Sequence, residues 1–340
     1  MSQFTAHRLY FEGRVESPIV LGEHQGSAIR GALFHALQGR PGRPGFCVEP
    51  ARRECRGCQA LAGCAVSFLV ATVDEEGRRG SDVPRPYAVE PPLGRCGRYE
   101  PGESLRFGLT MFARGLALFP YVIVAARRLE EEGIGRKVPD GRGLWRPGRF
   151  RIERIVAANP LTGEEQVVLQ RGDELVRMPS LPVTHEQVLS RARALIERWP
   201  AGEEGRLTVE FLTPTRLIEG GLPLRRPELR PLAQRLIERL SSLWEEYGRE
   251  ELPIDFAELM AHAARARLVA DETRWVEVRG YSTRQDAPKR LDGFVGRATY
   301  EGELGPLLPW LIWGEQTHVG KDAVKGCGVF EVVGSPDGTS

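Results

Sequence analysis

Thr317-His318-Val319-Gly320-Lys321 and, three residues on, Lys325-Gly326-Cys327-Gly328-Val329-Phe330-Glu331-Val332 form a glycine-rich stretch with two lysines. It is entered from the apolar segment Leu304–Gly314 and left by residues that alternate as a strand does. Glycines let backbone N–H groups approach an anion closely because no Cβ intervenes, and lysines add point charge for phosphate. A nucleoside-triphosphate loop needs G-x-x-x-x-G-K-[ST] between a strand and a helix. Here the lysine follows the first glycine and a strand follows the loop. The G-x-G-x-x-G fingerprint that opens a helix in dinucleotide-binding units is also absent. A phosphate-contacting loop that hands over to a strand suits a polynucleotide better than a nucleotide. The plainer reading is a glycine-rich turn with solvated lysines.

The stretch has an echo. Gly133-Ile134-Gly135-Arg136-Lys137 precedes Phe150-Arg151-Ile152 much as Gly320-Lys321 and Gly326-Cys327-Gly328 precede Val329-Phe330-Glu331. Working outward, each half opens with a strand, Arg8–Glu16 or Arg206–Leu212. Each continues through a helix and further strands. In the first half these are a helix over Gly26–Gln38 capped by Ser27, a strand over Leu105–Met111, a helix over Leu116–Glu132 interrupted at Pro120, and a strand over Arg149–Val156. In the second they are the helix Pro227–Tyr247, with Leu232, Leu236, Leu240, Leu243 and Trp244 as its stripe, helix continued over Leu259–Leu268, and strands over Trp275–Tyr281 and Phe294–Tyr300. The order predicts an α+β protein of two tandem ferredoxin-like (RRM-like, βαββαβ) domains. Their expected bounds are 1–172 and 205–335, with a proline-containing linker over 173–204. One large α+β domain is the alternative.

A chain of 340 residues can bury two cores. It has no run of 18 uncharged apolar residues, so no membrane-spanning helix is expected. Its first residues lack a basic segment followed by an apolar one, which predicts no secretory signal and a cytoplasmic location. The net charge of +1 does not announce a polyanion. The distribution says more. Arg136, Lys137, Arg142, Arg146, Arg149, Arg151 and Arg154 cluster against Asp140 and Glu153. Arg279, Arg284, Lys289, Arg290 and Arg297 cluster against Asp286 and Asp292. Such local patches suit a polyanion bound along one face.

Cys47, Cys55, Cys58 and Cys64 are spaced C-x7-C-x2-C-x5-C. Without an export signal, thiols this close favour metal over disulfides. Structural zinc is the leading expectation, since C-x2-C across Gly57 supplies half a tetrahedral site. An iron–sulfur cluster or metal-free thiols remain open. Cys96 and Cys327 read as ordinary packed or loop thiols.

Taken in order, several segments resemble the CRISPR-associated endoribonucleases of the RAMP superfamily that process precursor CRISPR RNA, in a branch with a four-cysteine insertion. These are Gly26-Ser27-Ala28-Ile29-Arg30-Gly31-Ala32-Leu33, the cysteine group, Phe211-Leu212-Thr213-Pro214-Thr215-Arg216-Leu217, Tyr281-Ser282-Thr283-Arg284-Gln285, Leu291-Asp292-Gly293-Phe294-Val295-Gly296, and His318 through Gly328. The resemblance implies two ferredoxin-like domains and RNA cleavage without a catalytic metal. The ribose 2′-hydroxyl would attack the adjacent phosphate, leaving a 2′,3′-cyclic phosphate and a 5′-hydroxyl. It implies CRISPR repeat RNA as substrate, mature CRISPR RNA as product, CRISPR effector subunits as possible company, and a monomer or homodimer. A non-catalytic RNA-binding subunit is the alternative function.

The chemistry needs a general base, an acid and positive charge at phosphorus. By family placement, in or just after the first helix, the candidate bases are His35 and then His24. His318 adjoins the glycine loop, where it serves either chemistry or loop order. Phe34 stands where the family sometimes has a tyrosine, and Lys321 could supply charge instead. His7, His185 and His262 read as surface or packing residues. The expected RNA-binding residues are Arg279, Arg284, Arg290, Gly320, Lys321, Lys325, Gly326 and Gly328.

Overall fold

The computed structural model describes residues 4–40, 43–47, 49, 55, 57–71, 83–94, 97–139, 143–200, 204–282 and 287–334. Arg142, Cys96 and Arg284 from the sequence reading lie outside these. The chain divides into two compact units, Ala6–Pro182 and Val183–Ser340, the latter joined by Met1–Thr5.

In the N-terminal unit the elements are β1 (Ala6–Val15), α1 (Gln25–Gln38), β2 (Tyr87–Glu90), β3 (Ser104–Phe112), α2 (Phe119–Glu132), a hairpin of β4 (Ile134–Pro139) and β5 (Trp145–Gly148), β6 (Phe150–Asn159) and β7 (Glu164–Gln170). The sheet order is β7-β6-β1-β3-β2, with every pairing antiparallel. Without the added edge strand β7, this is the fourth-first-third-second order of a ferredoxin-like unit. Residues Leu9 and Phe11 of β1 face inward, and Phe11 stacks on Phe107 at 5.0 Å. Ile29 and Leu33 of α1 and Val122, Ala126 and Leu129 of α2 are buried core residues of the same unit. Each fully buried Phe or Leu there contributes about 1.5–3 kcal/mol.

The C-terminal unit repeats the plan. After α3 (His185–Ile196) come β8 (Gly205–Thr215), α4 (Leu229–Leu243), α5 (Phe256–Arg265), β9 (Arg267–Val276), a hairpin of β10 (Arg279–Ser282) and β11 (Ala287–Arg290), β12 (Gly293–Gly302), α6 (Leu308–Thr317) and β13 (Phe330–Val333). Its sheet order is β9-β12-β8-β13, the same topology. Gly314 lets α6 approach closely, since a Cβ there would press on Phe330 and Leu236. The protein is therefore a tandem of ferredoxin-like units.

Four local expectations need correction. His24, not Ser27, caps α1: its Nδ1 accepts the Ser27 N–H at 3.1 Å. Pro120 does not interrupt a helix but sits in the first turn of α2, where its missing N–H costs nothing. Helix α5 stops at Arg265, because Ala266 turns to extended backbone and β9 begins at Arg267. The strand read from Trp275 to Tyr281 is the end of β9 and the start of β10.

The echo seen in the sequence is structural. Helix α2 ends on Gly133 (φ 74°, ψ 173°), whose N–H donates to Leu129 O. Helix α6 ends on His318 (φ 61°, ψ 171°), whose N–H donates to Gly314 O. Two residues later, Gly135 (φ 84°) and Gly320 (φ 80°) both have positive φ. A Cβ on either would collide with a backbone carbonyl just past the unit's first strand, that of Val20 or Arg216. The helix-to-last-strand connection is thus built the same way twice.

Candidate nucleic-acid interface

The glycine loop spends its backbone donors inside the protein. The N–H of Val319 donates to Gly328 O (3.0 Å), that of Lys321 to Arg216 O (3.0 Å), that of Gly326 to Ala323 O (3.0 Å) and that of Gly328 to Pro214 O (3.1 Å). Positive φ at Gly320, Gly326 and Gly328 makes this folding possible. A Cβ on Gly328 would collide with the Val319 carbonyl. These glycines serve backbone-on-backbone packing, so they shape the loop instead of presenting a row of free amides. His318 is fully buried, with Nδ1 3.2 Å from the Ala323 carbonyl. It spans the loop from inside.

The loop's charges are sorted. Lys321 is exposed. Lys325 Nζ lies 2.9 Å from Asp322 Oδ1, and Lys289 Nζ, from β11, lies 2.6 Å from the same oxygen. Burial works to raise the Asp322 carboxyl, but the hydrogen bonds and charges of Lys289 and Lys325 outweigh it and hold the group below its ordinary value. Lys325 is therefore engaged by the loop's own carboxylate. The β10/β11 hairpin is fixed to the loop by this ion pair and by the cluster of Val278, Leu291 and Cys327. Burial pushes the Cys327 thiol up, above the range of a reactive cysteine.

Arg279 and Arg290 face each other across that hairpin and both are exposed. Arg216 Nη1 reaches the Arg290 carbonyl at 3.5 Å. Lys321, Arg216, Arg290 and Arg279 thus lie in sequence along one basic surface of the C-terminal unit. In the same unit, the exposed Arg225 lies over the Trp275 ring at 4.0 Å. Sequence reading placed Lys289 in a basic cluster and Arg216 in a motif without giving either a role of its own, and it missed Asp322 and the Arg225–Trp275 pair. Only Asp322 left a local signal, three residues ahead of Lys325. The others meet through long-range pairing.

In the N-terminal unit, His24 and His35 stand at opposite ends of α1. Eleven residues at 1.5 Å rise put them about 16 Å apart, so the two cannot serve one reacting group. His24 is buried and its Nδ1 is occupied by the cap. His35 is exposed in the last turn, edge-on to Phe34 at 5.3 Å. Beside it, Arg128 donates to the Ala36 carbonyl at 3.0 Å and lies over Phe46, which meets Tyr121 edge-on at 4.8 Å. An imidazole open to solvent, a guanidinium and a phenol ring therefore surround the end of α1.

The cysteines do not form the expected centre. Cys55 and Cys58 do flank a tight turn, with Cys58 N–H donating to Cys55 O at 3.0 Å and Gly57 at φ 69°. Cys64, however, ends a separate short 3-10 turn. All four thiols are half-buried and free of disulfides. Among the described residues no group of three or more His, Cys, Asp or Glu side chains is gathered to hold a metal. A structural zinc needs four such donors around one point, so the expected zinc is without support among the described residues.

Comparison with known proteins follows this geometry. A family model described as an N-terminal domain, AF_1859_N, matches residues 4–181. The model of the CRISPR-associated endoribonuclease Cas6 matches residues 209–330, which include the basic surface and the glycine loop. No curated protein matches the chain. Among solved structures, a Cas6 product complex aligns over 96% of this chain and 100% of its own, at 17% identity and TM-score 0.54. Thermus thermophilus Cas6 aligns over 97% and 99%, at 15% identity and TM-score 0.51. A partial Cas6-RT-Cas1–Cas2 complex aligns over 99% of this chain and 47% of the matched one, at 12% identity and TM-score 0.59. At such identities the structures speak for the fold, and the family models speak for descent. Residues 209–330 thus carry a domain of the CRISPR-associated endoribonuclease Cas6, within a chain that has the fold of Cas6 structures.

Proposed function

We propose that this protein cuts precursor CRISPR RNA within its repeats and releases mature CRISPR RNA. The observation that carries the reading is the Cas6 match over residues 209–330, the segment that bears the exposed row of Lys321, Arg290 and Arg279. The structural relatives include a Cas6 product complex and a partial Cas6-RT-Cas1–Cas2 complex. CRISPR RNA, and other CRISPR proteins as company, are the partners this reading takes for the present chain.

His35 is the candidate general base, being the exposed histidine of α1. It takes the proton of the ribose 2′-hydroxyl as that oxygen attacks the adjacent phosphorus. The P–O5′ bond breaks, a proton reaches the leaving 5′-oxygen, and a 2′,3′-cyclic phosphate remains. Imidazole suits both proton steps because its ordinary pKa lies near neutrality. On the C-terminal unit, Lys321 offers positive charge to a backbone phosphate of the bound RNA. His24 and His318 are positioning residues, one closing the start of α1 and the other holding the loop. The chemistry is complete without a metal.

The test is incubation of the protein with labelled repeat RNA in EDTA. Cutting at one position with a cyclic phosphate end is expected, and a 2′-deoxy nucleotide there should abolish it. His35→Ala should slow single-turnover cleavage by roughly 10²–10⁴-fold. Tight binding with no cleavage would replace the enzyme reading with that of a scaffold subunit. Cleavage that survives the 2′-deoxy substitution would sink the transesterification.

A further inference from the structure

The β4/β5 hairpin holds the place in the N-terminal unit that the glycine loop holds in the C-terminal one, and the proposed reaction makes no use of it. Among its described residues there is no acidic side chain, while Arg136, Lys137 and Arg146 are exposed. Trp145 is 67% exposed and Leu144 50%. Tryptophan is on average highly buried, so an indole this open at the end of a hairpin asks for a partner.

The register says which groups act together. Pro139 pairs with Trp145 and Lys137 with Pro147, while Val138 pairs with Arg146. Directly paired residues share a face, so Lys137 and Trp145 lie on one face as diagonal neighbours about 7–8 Å apart, and Arg146 lies on the other. The hairpin is anchored at its root. Ile134 pairs with Gly148, and Cβ atoms on Gly135 and Gly148 would collide with the carbonyls of Val20 and Pro18. A fixed aromatic face with a cation one residue-pair away matches an unpaired base and its neighbouring phosphate. Cations on both strands, with no carboxylate among the described residues and Asp140 alone in the sequence between the strands, favour a polyanion over an apolar protein surface.

We propose that this hairpin is a second RNA-binding element, in which Trp145 stacks on an unpaired base and Lys137 takes an adjoining phosphate. The proposal rests on the reading of the protein as one that acts on RNA.

The test compares the full-length protein with Trp145→Ala, Trp145→Phe and Lys137→Ala on three probes: repeat RNA, a single-stranded oligouridine and an RNA duplex. W145A should weaken single-strand binding roughly 5- to 150-fold, the range for one base–aromatic stack. W145F should bind nearly as the parent does, and duplex affinity should not change. K137A should flatten the salt dependence by about 0.7 in slope. Cleavage of repeat RNA at saturating protein should keep its rate in W145A, because the loss lies in binding. Unaltered single-strand affinity in W145A overturns the proposal. So does an equal loss on duplex, or a changed oligomeric state with RNA affinity intact, which would mark a protein-docking tryptophan. If oligouridine binding depends on Trp145 but repeat RNA is never cut, the hairpin stands and the endoribonuclease reading falls. If repeat RNA is cut and W145A binds as the parent does, only the hairpin proposal falls. If the parent binds none of the probes, both fall.

Discussion

His7 sits on β1 on the inward side shared with Leu9 and Phe11, and it is 7% exposed. Burial lowers its pKa from 6.5 to about 4, so the folded protein keeps it neutral where the unfolded chain protonates it. The stability this neutrality preserves is complete above pH 6.5 and is lost as pH falls from there toward 4. The loss amounts to about 3 kcal/mol at 1.36 kcal/mol per pH unit. His185 acts in the same direction, since burial lowers its pKa against the opposing pull of Glu250. Chemical denaturation at pH 7 and pH 4.5 should therefore show a marked acid loss, and His7→Phe should remove most of it. An unchanged acid slope in that variant would mean that the imidazole charges inside the fold at little cost. From sequence, His7 was one polar residue among alternating apolar ones. The strand expected over Arg8–Glu16 begins one residue later, so position 7 reads as a surface or packing residue; its dehydration depends on what packs over it from elsewhere in the chain.

The glycine loop is the element at which reading and structure differ most usefully. The glycines were legible as a demand for unusual backbone, and they have it. What they approach is other backbone, because carbonyls from Pro214 and Arg216 stand where an anion was expected. Those carbonyls lie at the end of β8 and just past it, more than a hundred residues away, so no local pattern announces them. Strand order and helix stripes were legible because period 2 and period 3.6 are local. Edge strand β9 was misread at its start, because Leu268-Val269-Ala270 continues the apolar run of the preceding helix, although exposure alternates along most of the strand. Within the loop, Asp322 gathers Lys289 and Lys325, and its side chain is only 12% exposed. Asp322→Asn should cost about 1–3 kcal/mol at pH 7, between the values of exposed and buried pairs. Because the folded carboxyl titrates below its ordinary value, its contribution is present above the ordinary carboxylate range and is lost as pH falls through the folded value. Parent and variant should therefore converge in stability in strong acid. A difference that persisted there would assign the loss to packing and not to charge.

Across the whole molecule, 47 basic residues stand against 46 acidic ones. Composition therefore hides the partner that the folded surface displays. A nearly neutral protein gains little from long-range attraction to RNA, since distant charges cancel and salt screens the remainder beyond about 10 Å. Its affinity must come from the few cations that touch phosphate, each of which displaces counterions. For single-stranded RNA the logarithm of affinity then falls with the logarithm of salt at about 0.7 per phosphate contact. Lys321, Arg279, Arg290 and Lys137 are exposed, which suggests a slope of about −3. Lys325 is not equivalent to Lys321, though the two look alike in sequence, because Asp322 already holds it. Lys321→Ala should weaken repeat-RNA binding and reduce the slope by about 0.7. Lys325→Ala should leave the slope nearly unchanged, its effect appearing in stability through the broken ion pair. Equal loss of slope in both variants would show that Lys325 leaves Asp322 when RNA arrives, making Asp322 a latch that RNA opens. A slope far steeper than −3 in the parent would show that phosphates are met by more of the surface than these residues provide.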